Sequence, residues 1–221
     1  MKQMSRTNLK DLSNRIFERY EEKTFKYMSR KTYINPSQFV KETMGLSIFY
    51  YKLSFDGSIL GLTSTIPQIV GVINREGDPE PFELDGNTIL LDSSLLMTVN
   101  EGVRNFTIMH EFAHQILNRM YPDDDVELCV YRNRKNAITK AEDWKEWQAD
   151  VLASYLLLPD CLLDKQLKKY NYNKVVFPSA LSDLARRMHV SKQALSIRLQ
   201  EKGYRLENEV IEIVKEGEMA S

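Results

Sequence analysis

The chain is poor in cysteine and histidine, with 2 Cys and 3 His among 221 residues. Cys129 and Cys161 are too few for a disulfide framework and show no Cys-x-x-Cys spacing, so both read as plain reduced thiols. No excess of either charge is present. The formal net charge is −1 and the pI about 6.3, which removes any bulk electrostatic case for binding nucleic acid or a membrane surface. A long hydrophobic run is missing too: the longest, Leu152 to Leu158, is far too short to span a bilayer. Charges break up Met1 to Glu22, so a signal peptide's apolar stretch is absent there. These absences together predict a cytoplasmic protein. Asn105-Phe106-Thr107 matches the glycosylation pattern, but without secretion, and within an expected helix, it reads as chance. Repeats and low-complexity segments are absent. At 43% hydrophobic and 28% charged, the composition is that of a globular protein with one sizeable domain, or one domain plus a small module.

Two of the three histidines fall in one pentapeptide, His110-Glu111-Phe112-Ala113-His114, the H-E-x-x-H pattern of zinc hydrolases. A helix turns about 100° per residue, so His114 lies one turn along from His110 and about 40° round, with Glu111 beside both. Two imidazoles so placed can point nitrogens at one metal ion. The adjacent carboxylate can hold and deprotonate a water bound to that ion. The flanks support a helix. Asn100-Glu101-Gly102 reads as its start, with Asn100 as cap. Phe106, Met109, Ala113, Ile116 and Met120 recur at helical spacing and predict a buried face, and Tyr121-Pro122-Asp123 ends the run.

Around this helix the pattern predicts an α+β fold. A helix is expected over residues 7–30, with Leu9, Leu12, Ile16 and Tyr20 on one side. Ser37 caps a second, short helix through Met44, closed by Gly45. A strand is expected over Ile48 to Phe55. The Asp56-Gly57 turn signal then suggests a hairpin returning through Ile59 to Thr63. Ile66 to Ile73 and Thr88 to Leu91 read as further strands, separated by a turn-rich stretch from Asn74 to Asn87. The expected sheet is small and mostly antiparallel. The polar stretch Pro122 to Lys140 includes Asp123-Asp124-Asp125, which reads as a solvated turn because it lacks the ligand spacing of a calcium loop. A second strong helix runs from about Glu142 to Leu158, stopped by Pro159. An irregular stretch, a helical pair over about Pro178 to Lys202, and a tail from Leu206 to Ser221 complete the chain.

A zinc site built on two histidines needs a further protein ligand. In the second strong helix Glu146, Ala149, Asp150, Ala153 and Leu157 share one stripe. Ala149 and Ala153 are small enough for close approach to the metal helix. Glu146 can then reach the ion, and Asp150, one turn later, can accept a hydrogen bond from the far nitrogen of a ligating histidine. Glu142 and Asp143 compete for the role, but neither has a Glu-x-x-x-Asp companion in this stripe.

Arg104-Asn105-Phe106-Thr107-Ile108-Met109-His110-Glu111-Phe112-Ala113-His114, followed by Glu146-Trp147-Gln148-Ala149-Asp150 and an apolar run ending in Pro159, resembles the ImmA/IrrE family of metallopeptidases. Gln148 and Leu152 depart from the Glu and Phe common in that family. The resemblance implies a gluzincin-like catalytic domain over residues 1–175, with His110, His114 and Glu146 as ligands of zinc (manganese being the alternative) and Glu111 as catalytic base. It also implies a protein substrate, a helix-turn-helix transcriptional repressor in a mobile element or stress response. Besides the metal, an oxyanion needs a donor, and Tyr155, Tyr121 and His189 are equal candidates. Thr88 to Asp92 is the guessed edge strand for the substrate backbone.

Residues 176–205 read as a helix-turn-helix. Leu181, Leu184, Ala185 and Met188 form an apolar stripe, His189 takes the left-handed turn position, Ser191 caps the second helix and Gly203 ends it. From Leu181 to Gly203 there are five basic residues against two acidic. With no wider basic surface, packing on the catalytic domain is favoured over DNA reading. The competing class of function is a non-catalytic, metal-stabilised protein that binds a repressor or DNA through this pair.

Overall fold

In the computed structural model, residues 3–97, 101–122, 128–132, 141–169, 180–207 and 210–213 are described. The expected Asn100 cap and the acidic triplet Asp123-Asp124-Asp125 lie outside them. Helix α1 spans Arg6–Thr24 and starts with a capping box between Ser5 and Asn8. It ends sooner than expected, because Phe25 turns left-handed (φ 53°) and returns its N–H to the Glu21 carbonyl. Helix α2 spans Pro36–Met44. Its cap is Asn35 rather than Ser37, with Pro36 in the first turn, where its missing N–H has no partner to lose.

The strands are β1 (Ser47–Tyr51), β2 (Ile59–Thr63), β3 (Pro67–Ile73), β4 (Pro79–Asp85) and β5 (Thr88–Asp92). The expected hairpin between β1 and β2 does not form. β5 lies between them, parallel to β1 and antiparallel to β2. Strand β6 (Cys129–Arg132) then adds to the free side of β2, giving the order β1-β5-β2-β6. β5 is therefore interior, and all five of its residues are buried, which overturns its assignment as a substrate-binding edge. β3 and β4 form a separate two-stranded ribbon, so much of the stretch expected as turns is strand. Pro79 and Pro81 are tolerated because β4 is paired on one side only.

Helix α3 (Glu101–Met120) crosses this sheet and runs through the centre of the molecule. The expectation was one buried face. Instead every residue from Thr107 to Leu117 is buried, because the sheet packs on one side of α3, α4 (Ala141–Leu157) on another and α2 on a third. Gln115 donates from Nε2 to Thr63 Oγ1 (2.6 Å) and to the Ser64 carbonyl (2.7 Å), tying α3 to the end of β2. Ala149 and Ala153 of α4 are fully buried where the two helices meet. Among the described residues no helix is long and apolar enough to cross a membrane.

Beyond Pro159 the chain is not irregular but starts a new helix, α5 (Asp160–Lys169), which buries Leu162, Leu163 and Leu167. The helical pair is α6 (Ala180–Arg187) and α7 (Lys192–Glu201). His189 takes the left-handed position (φ 54°), Ser191 caps α7 through the Ala194 N–H, and Gly203 follows at φ 84°. A hairpin of β7 (Tyr204–Glu207) and β8 (Val210–Ile213) occupies the first part of the tail.

Candidate metal centre

One turn of helix separates His110 and His114 on α3, and both side chains are buried. Their Nε2 atoms lie 3.0 Å apart. Glu146 on α4 faces the pair, with Oε1 3.1 Å from His114 Nε2 and Oε2 3.3 Å from His110 Nε2. Its side chain is 16% exposed, so the site borders solvent on the α4 side. The donor set fits a divalent ion on two counts. Two imidazole nitrogens and a carboxylate oxygen are the ligand types zinc takes. Donors held about 2.1 Å from a tetrahedral ion stand roughly 3.4 Å from one another, close to the separations seen here. The three residues can therefore hold a metal ion. The side chains of the competitors Glu142 and Asp143 lie outside the described residues.

Asp150, one turn beyond Glu146, places Oδ1 2.8 Å from His110 Nδ1. An imidazole with its Nδ1 proton directed at a carboxylate presents a bare Nε2 to the site. Burial alone would make protonation of His110 harder, but the hydrogen bonds with Asp150 and Glu146 outweigh it and raise its pKa. His114 follows the same pattern: burial opposes the charge, and hydrogen bonds with the Cys129 thiol and Glu146 override it. For Glu146, burial favours the neutral acid, yet the two imidazoles hold the carboxyl well below the usual carboxylate range. A cluster of titratable groups pulled this far from ordinary behaviour is typical of a working site.

Glu111 is fully buried beside this cluster. A carboxylate there carries a large desolvation cost, which argues against a role as filler. The space it occupies depends on Gly61 in β2, which sequence reasoning passed over. A Cβ at Gly61 would lie 2.7 Å from Glu111 Oε1 and 2.9 Å from Thr107 Cγ2. An isolated glycine inside a strand was the available signal for such a close approach.

The proposed oxyanion donors lead elsewhere. Tyr155 lies under the Arg198 guanidinium (4.4 Å to the ring centroid), and His189 holds Glu101 at 2.7 Å while its ring lies tilted against Tyr33. Tyr121 packs at the edge of the main core. Gln148, a departure from the family pattern, is fully buried and accepts the Met4 N–H at 2.7 Å, so it braces the start of α1.

A cavity of about 520 Å³ opens beside Asp150, walled by Leu60, Phe106, Trp147, Ala194 and Ile197. Helix α7 thus supplies one wall. It is anchored by Arg198, whose side chain is 2% exposed and bonds Asp160 (2.8 Å), Glu201 (2.8 Å) and the Leu158 carbonyl (3.3 Å). At the turn before α7, Asn105 of α3 donates to the His189 carbonyl at 2.9 Å.

Comparison with known proteins agrees with this geometry. No curated protein matches the chain. The IrrE N-terminal-like domain, by contrast, matches residues 76–200, more than half of the chain, in a segment that contains α3, α4 and all three candidate ligands. The chain therefore belongs to the peptidase M78 family, the ImmA/IrrE metallopeptidases.

Proposed function

We propose that this protein is a zinc-dependent endopeptidase that cuts a helix-turn-helix repressor, with Glu111 as general base. The observation that carries the reading is the convergence of His110, His114 and Glu146 within hydrogen-bonding distance of one another, with a fully buried Glu111 in the same helical turn. A bound zinc ion would supply Lewis acidity, acidifying a water and polarising the scissile carbonyl. The remaining work falls to the chain. Asp150 fixes the His110 ring so that Nε2 stays available. Glu111 takes a proton from the attacking water and returns it to the leaving amine. The cavity beside Asp150 sets Leu60, Phe106, Trp147 and Ile197 against Arg6, Thr107, Gln193 and Glu201, so it suits a substrate side chain with an apolar body and a polar end.

The DNA-binding alternative has less support, because four of the five basic residues of the helical pair face carboxylates of the same chain. Arg186 and Arg187 bond Asp183, while Arg198 and Lys202 bond Asp160. The deciding experiment compares wild type with Glu111→Gln against a panel of purified helix-turn-helix repressors, reading new N-termini by mass spectrometry and bound metal by elemental analysis. The variant should keep its metal and make no cut. Cleavage by the variant would remove Glu111 from its role, and an uncut panel with metal-loaded wild type would overturn the substrate class.

A further inference from the structure

A second concavity, about 660 Å³, lies on the face of α3 turned away from the metal ligands, between α1 and the end of α2. Its floor is apolar: Ile16, Met44, Phe112, Ile116 and Met120. Its rims are cationic. Arg15, Arg19 and Lys23 line one side and Arg119 the other, and among the described residues no carboxylate lines the groove. Arg119 is engaged with the Gly86 carbonyl and Asn87, both at 2.8 Å. The three α1 cations are exposed and make no ion pair among the described residues. Their spacing of four residues puts them on one side of α1 as a row about 12 Å long.

We infer that this groove docks an acidic amphipathic helix of a partner protein. Each part of the groove selects for such an occupant. The apolar floor between helices is the seat that an amphipathic helix fills with its own apolar stripe. A row of cations one helical turn apart matches carboxylates repeated every fourth residue along the edge of a docked helix. One lipid headgroup would answer one or two of these charges and leave the rest of the row unmatched. A nucleic-acid backbone would answer the row and leave the apolar floor against water. The site needs no turnover, so it stands independently of the peptidase reading. It does touch the same helix, since Phe112 lies between the two histidine ligands in sequence.

The probe is a fluorescein-labelled 18-residue helical peptide with Leu at three- and four-residue spacing and Glu at every fourth position along one edge. Binding to the full chain is read by fluorescence anisotropy. The wild type should bind it, and the affinity should fall at least tenfold in the charge-reversal variant Arg15→Glu/Arg19→Glu/Lys23→Glu. All three positions are exposed, and circular dichroism verifies the fold. Without any variant, the wild type should bind the Glu peptide more tightly than its Gln counterpart, with a difference that shrinks as salt rises. No binding, equal binding of the Glu and Gln peptides, or undiminished binding by the reversed variant would each overturn the proposal. So would displacement of the peptide by laurate at lower concentrations than the peptide itself requires, which would mark a site for small anionic amphiphiles.

Discussion

Replacing Gly61 by alanine tests the contact between β2 and α3 more sharply than removing any ligand. In open space Gly→Ala within a strand would stabilise by about 0.4–1 kcal/mol, by narrowing the unfolded ensemble. Here the added methyl would meet Glu111 Oε1 at 2.7 Å, Thr107 Cγ2 at 2.9 Å and Glu111 Cγ at 3.0 Å, and all three must give way. Two responses compete. Moving β2 away from α3 would break the bonds from Gln115 to Thr63 and Ser64, each worth about 1 kcal/mol, and loosen close packing as well. Turning Glu111 off its rotamer costs about 0.5–1.5 kcal/mol. The carboxylate should therefore move first, with overpacking against Thr107 adding to a total of about 1–3 kcal/mol. For a chain of this size that is a fall in Tm of about 2–12 °C. Bound metal should persist, since none of the three ligands is touched. Peptidase turnover should fall about 10–100-fold, a fraction of the roughly 10²–10⁴ that a general base contributes. Gly71→Ala is the matched control, because nothing lies within 4 Å of its added methyl. Thermal melting, metal analysis and turnover on the three proteins decide the matter. A Gly61→Ala protein with unchanged Tm and full turnover would refute the close approach of β2 to Glu111.

Glu146→Ala should abolish stoichiometric metal, whereas Asp150→Asn should weaken metal affinity by about 10–100-fold and leave the site fillable, as measured by competition with a fluorescent chelator. Arg198→Ala should destabilise by about 3–5 kcal/mol in denaturant titration, because it strips the buried cation from Asp160, Glu201 and the Leu158 carbonyl; a loss below 1 kcal/mol would show α7 to be loosely held. Asp160 makes a pH-dependent contribution. Although burial favours its neutral form, Lys10, Lys202 and Arg198 hold its carboxyl down at about 2. A group depressed on folding stabilises fully above its unfolded pKa, and that stability drains as pH falls through the folded value. Asp160 is partly exposed, so after solvent screening the effect is of order 1 kcal/mol, lost between about pH 4 and pH 2 and absent in Asp160→Asn.

The sequence was most legible where information is local. His110, Glu111 and His114 lie within one helical turn, and Glu146 and Asp150 within another, so helical period alone already grouped side chains that the fold brings together. The helical pair was equally legible, down to the left-handed His189, because its turn chemistry is written in consecutive residues. Strand order was not legible. Asp56-Gly57 does mark a change of direction, but partners in a sheet are chosen across the chain, and β5 displaced the nearer candidate. Pro79 and Pro81 disguised β4 as a turn, and Pro159 read as an end although it precedes α5 directly. Burial on every side of α3 also escaped, since a helix with polar residues around it reads as half-exposed until the buried chemistry is recognised.

The anchoring of α7 has a consequence for how this protein can change over time. A small helical pair near one end of a chain is ordinarily a portable unit that can be exchanged between proteins with little refitting. This one carries Ala194 and Ile197 as part of a cavity wall beside Asp150, and its Arg198 holds the start of α5. Swapping it for another pair would reshape the space beside the metal site and strand the Asp160 carboxylate, 38 residues before Arg198. Inheritance should therefore keep α6 and α7 with α3 and α4 as one unit, and substitutions on the two sides should be accepted together.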